Sequence, residues 1–122
     1  MMTEKSYEFC KIYVRADSVD AVVGVLSAGL GVDFDARTAT VERTLLEVLR
    51  NDDRLPLDQS GDDFVRWPTL VEAESSDRAD HARIVWLIGR LLEILWGNDY
   101  AAVASCDFED ELPRDGGIGR AR

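Results

Sequence analysis

The segment Ile84-Val85-Trp86-Leu87-Ile88-Gly89-Arg90-Leu91-Leu92-Glu93-Ile94-Leu95-Trp96, with Ala101-Ala102-Val103-Ala104-Ser105-Cys106-Asp107-Phe108 after it, sets the architecture of this chain. Ile84, Val85, Leu87, Ile88, Leu91, Leu92, Leu95 and Trp96 recur at helical spacing and cover a broad face. The spacing predicts a helix over 77–96, opened by Ser75-Ser76-Asp77 and closed by Gly97-Asn98. A face that broad must cross a sheet and touch a neighbouring element as well. Residues 101–108 are small and largely apolar, which predicts a strand covered on both faces.

Working outward, Tyr7 to Arg15 reads as a strand. Cys10, Ile12 and Val14 form a dry face, with Phe9, Lys11, Tyr13 and Arg15 on the other. Val19, Val22, Val23, Leu26 and Leu30 predict a helix over 18–29, begun at Asp17 and Asp20 and stopped by Gly29 and Gly31. Residues 32–41 fit a strand or a hairpin. Residues 43–50 fit a strand or a short helix, ended by the turn Asn51-Asp52-Asp53. Residues 54–63 form a loop. Residues 64–74 form a strand that Pro68 confines to an edge or a bulge. The order β-α-β-β-β-α-β predicts an α+β, ferredoxin-like α/β plait. Its two helices lie on one face of a mainly antiparallel sheet, with the first and last strands near the centre. Residues 7–113 form the single domain, 1–6 a disordered N-terminus and 114–122 a flexible tail.

The chain has 122 residues, enough for one core. It carries 24 Asp and Glu against 14 Lys and Arg, a net charge of −10. That balance argues against nucleic acid and anionic membrane, both of which need a basic footprint. The N-terminus lacks the pattern of a signal peptide, and no run reaches the length of a membrane span. The expected location is the cytoplasm. Two reduced thiols are the simple reading of Cys10 and Cys106 there; a disulfide between them is the competing one.

The catalytic inventory is thin. His81 reads as a solvated residue in the first turn of its helix, with no nucleophile nearby in sequence. Cys106 stands beside Asp107, which disfavours its thiolate. Asp107, Glu109, Asp110 and Glu111 form one acidic cluster; Asp52, Asp53, Asp62 and Asp63 belong to a second. Neither has the spacing of a calcium loop, so no metal and no cofactor is expected. Each is a solvated surface or a docking surface for a basic partner. Trp86 lies off the main apolar stripe and is a candidate interface anchor.

The run Cys106-Asp107-Phe108-Glu109-Asp110-Glu111-Leu112-Pro113 is distinctive. With Tyr7-Glu8-Phe9-Cys10-Lys11-Ile12, Asn51-Asp52-Asp53 and Asp63-Phe64, it resembles small bacterial immunity proteins of polymorphic or contact-dependent toxin systems. The similarity spans most of residues 7–113. The resemblance implies a non-enzymatic inhibitor that neutralises one toxin domain by stoichiometric binding. The alternative is a small plait domain that binds a ligand or forms a homodimer through its open sheet face.

Overall fold

The structure, a computed structural model, describes residues 5–76 and 80–120. It is α+β, with five antiparallel strands in one sheet. The chain runs β1 (Phe9–Val14), α1 (Val19–Leu30), β2 (Thr38–Val41), β3 (Thr44–Arg50), α2 (Leu57–Ser60), β4 (Thr69–Ser75), α3 (His81–Gly97) and β5 (Ala102–Ser105). Single 3₁₀ turns occupy Phe64–Arg66 and Glu109–Glu111, and 3₁₀-type turns occupy Pro113–Arg120. The sheet order is β2-β3-β4-β1-β5.

Alternation explains β1. Cys10, Ile12 and Val14 are buried, and the residues between them are half-buried. The same rule decides residues 43–50 for a strand: Thr44, Leu46 and Val48 are buried while Leu45 and Glu47 are exposed. The buried rows of β1, β3, β4 and β5 meet Val19, Val22 and Leu26 of α1 and Ile84, Ile88, Leu91, Leu92 and Leu95 of α3 in one core. Both helices therefore cover one face of the sheet.

The caps differ from the expected ones. Ser18, not Asp17, caps α1: its hydroxyl accepts from the Ala21 amide at 3.0 Å. Gly31 ends α1 in the left-handed region (φ 70°), its amide donating to the Ser27 carbonyl. Asp80 caps α3 by accepting from the Ala82 amide at 2.9 Å. The expected cap at Asp77 lies outside the described residues.

Two placements correct the expectations. β5 pairs with β1 alone and is an edge strand, not an interior one. Its burial comes from elsewhere. Helix α3 covers one face and Trp67 packs on Val103 of the other, while Gly116 and Gly117 lie against the Ala104 and Ala102 backbone. Residues 113–120, of which 114 onward were expected in a flexible tail, thus take up the place of a sixth element along β5. The second correction concerns Pro68. It precedes β4 rather than interrupting it, and β4 is a central strand between β3 and β1. The proline closes the irregular loop, so the ladder loses no donor.

Candidate functional site

The strand register sorts the chemistry into two ends of the sheet. Phe9 of β1 pairs with Glu74, and Val14 pairs with Thr69. The start of α3, the β2–β3 turn and residues 106–111 therefore gather at the Phe9 end. The long β3–β4 loop, residues 51–68, sits at the Val14 end. The two acidic clusters of the sequence thus fall on opposite ends.

At the Phe9 end the acidic cluster is occupied by the chain itself. Lys5 reaches Asp110 at 2.7 Å and Glu111 at 3.3 Å. The Tyr7 hydroxyl donates to Glu111 at 2.6 Å, and the Ser6 amide donates to Asp107 at 2.9 Å. Glu109 accepts from the Cys106 amide at 3.3 Å. This clasp ties the start of the chain to the turn after β5. The Tyr7 hydroxyl and Lys5 hold Glu111 below its ordinary carboxylate range, and Lys5 does the same to Asp110. Asp110 and Glu111 in turn raise Lys5, and Glu111 raises Tyr7. The carboxylates expected as a docking surface are thus bonded within the chain while their side chains stay exposed.

His81 is not merely solvated. Its ring stacks on Tyr7 at 4.1 Å between centroids, and Tyr7 stacks on buried Phe108 at 5.1 Å. The stack fixes the N-terminal segment against α3. Nearby, Trp86 is 56% exposed, with the Arg83 guanidinium 5.2 Å from its ring. Arg83 also pairs with Glu42 in the β2–β3 turn. A cleft of about 260 Å³ opens there, lined in part by Arg43, Thr44, Asp80 and Leu87.

At the Val14 end the loop is knit from within. Asn51 is buried, and its side-chain amide donates to the carbonyls of Val65 and Trp67, both at 2.8 Å. Its side-chain oxygen accepts from the Asp53 amide at 3.0 Å. The Leu55 amide bonds the Arg66 carbonyl at 2.8 Å, which ties the start of the loop to its end. Trp67 is buried, and its indole donates to the Gly61 carbonyl at 3.0 Å. Asp52, Asp53, Asp58, Asp62 and Asp63 are exposed on this frame. Leu55 is 39% and Val65 40% exposed among them. The result is a surface loop of mixed charge with two exposed apolar side chains, held by Asn51 and Trp67; Arg66 pairs with Asp63 at 3.9 Å, and Arg54 donates to the Asn51 carbonyl at 3.1 Å. Asn51, expected only as part of a turn, is the organiser of this loop. The available signal was Asn at the head of an acidic turn, where its side chain bonds backbone two residues on.

Among the described residues no group of three or more His, Cys, Asp and Glu side chains converges as a metal-ligating set. No helix among them is long and apolar enough to cross a membrane. Comparison of the chain with protein families, curated proteins and solved structures returns no match.

Proposed function

We propose that this chain is a cytoplasmic, non-enzymatic immunity-type protein that neutralises a basic toxin domain by stoichiometric binding. The observation that carries the reading is the β3–β4 platform. Leu55 and Val65 are exposed on a loop that carries five exposed Asp against two exposed Arg, Arg54 and Arg66, and that is fastened by a buried Asn. Protein interfaces combine apolar and polar side chains in this way. A loop held in shape before binding loses little entropy on association. The net charge of −10 supplies the field that draws in a cationic partner. The docking surface is thus assigned to Asp52, Asp53, Asp62 and Asp63 rather than to the latched residues 107–111.

The fold belongs to the same proposal. β1 and β3 are linked through α1 and β2 and flank β4; β4 and β5 are linked by α3 and flank β1. Two such interleaved units support a ferredoxin-like plait, with β2 as one added edge strand.

The test is co-expression with the product of the adjacent gene. The expected result is growth rescue and a 1:1 complex in solution. Absence of any such complex contradicts the reading. A self-associated chain under those conditions favours the homodimeric alternative, through the open face where Phe9, Glu74 and Leu45 form one row.

A further inference from the structure

Cys10 and Cys106 are the two cysteines of the chain, and the fold sets them opposite each other. β1 and β5 pair Lys11 with Ser105 and Ile12 with Ala104, so one step further Cys10 stands across from Cys106. The Arg15 amide bonds the Ala101 carbonyl at 2.9 Å. Hydrogen-bonded pairs alternate along an antiparallel ladder, so 15/101, 13/103 and 11/105 are the bonded pairs. Cys10/Cys106 is then a non-bonded pair, the type whose Cα atoms approach to about 4.5 Å. The Cys106 amide agrees: it donates to Glu109 rather than to β1. A separation of about 4.5 Å is within the range a disulfide spans without moving backbone. Both side chains point to the helix-covered face, where the neighbouring pair Ile12 and Ala104 is buried.

The two thiols differ in access. Cys10 is 1% exposed, whereas Cys106, just past the end of the strand, is only partly buried. We propose that Cys106 and Cys10 form a thiol–disulfide exchange site, in which Cys106 is the attacking sulfur and Cys10 the resolving one. The co-reactant is a low-molecular-weight disulfide. In the first step the Cys106 thiolate attacks one sulfur of that disulfide, and the S–S bond breaks. One small thiolate leaves, and a mixed disulfide remains on Cys106. In the second step the Cys10 sulfur attacks the Cys106 sulfur and expels the second small thiolate. The Cys10 proton passes to a released thiolate directly or through solvent. Two protein thiols are oxidised, and one small disulfide is reduced to two small thiols.

The surroundings fit the division of labour. The Cys10 S–H and the Phe108 amide stabilise a Cys106 thiolate and hold its pKa below the ordinary thiol range, against the opposing pull of burial, Glu109 and Asp107. The Cys106 thiolate and burial push Cys10 upward. Adjacency to Asp107 alone had suggested an inert thiol; the cross-strand partner reverses that expectation. The bond would also fix the root of the 106–111 turn, which carries the latch on Lys5, Ser6 and Tyr7.

The experiment exposes the reduced full chain to bis(2-hydroxyethyl) disulfide at neutral pH, in native buffer. Intact mass and non-reducing peptide maps are followed with time. The expected course is a transient single adduct on Cys106, then a Cys10–Cys106 linked product lacking two hydrogens. C10A and C10S should stop at the adduct, and C106S should stay unreacted while folded. The linked form should melt higher by roughly 10 °C, since the bond closes most of the chain into a loop. An adduct that accumulates on Cys106 of the unaltered chain, or a link formed only in denaturant, overturns the proposal.

Discussion

Asn51 shows how one residue shapes a surface. It is buried, and it satisfies two carbonyls and one amide of the β3–β4 loop. Asn51→Ala removes the partner of those groups, of which the bond to the Trp67 carbonyl is buried and the other two are part-buried. The expected cost is about 2–3 kcal/mol, or roughly 10 °C in Tm, read by thermal denaturation. An unchanged Tm would show that water takes over those bonds. The latch makes a second residue-scale prediction. Asp110 and Glu111 are held below their ordinary range, so their contribution is complete above it and is lost as pH falls through the lowered values. Lys5 and Tyr7 are raised, so theirs is complete below their ordinary values and is lost as pH rises through the raised ones. The latch therefore stays closed from about pH 5 to about pH 9. The Ser6 amide, bonded to Asp107, should keep a constant NMR shift across that window and move outside it. A Ser6 shift drifting through neutral pH contradicts this.

At the scale of elements, close approach sets the helix pair. A Cβ on Gly29 would stand 2.7–2.8 Å from three carbons of Ile94, where α1 meets α3. Gly29→Ala forces that contact apart at about 1–3 kcal/mol, offset by about 1 kcal/mol of helix propensity. A net loss of stability is expected, and Ile94→Ala in the same chain should relieve much of it. Additive losses in denaturant melts would sink this account. Gly117 does the same for the C-terminal turns: its φ is 93°, and a Cβ would meet the Ala102 carbonyl at 2.5 Å. Gly117→Ala should free residues 113–120 from β5, seen as faster amide exchange at Ala102 and Ala104.

These contacts also explain what was legible. Period-two burial in Cys10-Ile12-Val14 and the apolar stripe of residues 84–95 were readable, because one buried face imposes its period on sequence. The edge position of β5 was not. Small apolar residues report that a strand is covered, not by what, and here glycines of the C-terminal turns do the covering. The acidic residues were legible as a class. Their division between a latch and a platform was not, since it depends on which sheet end each loop occupies.

The whole molecule combines a net charge of −10, a latched Phe9 end and an open, rigid platform at the Val14 end. Trp86, 56% exposed with the Arg83 guanidinium over its ring, lies at the Phe9 end, away from the β3–β4 loop. Trp86→Ala should therefore change partner association less than about threefold, because rim and remote contacts contribute little. The most direct measurement is stopped-flow association with the adjacent gene's product at two salt concentrations. It compares the unaltered chain with one carrying Asp→Asn at Asp52, Asp53, Asp62 and Asp63. The account predicts fast association of the unaltered chain that salt suppresses, and a rate about tenfold lower at low salt for the variant. Equal rates for the two chains, with the same salt dependence, would contradict it.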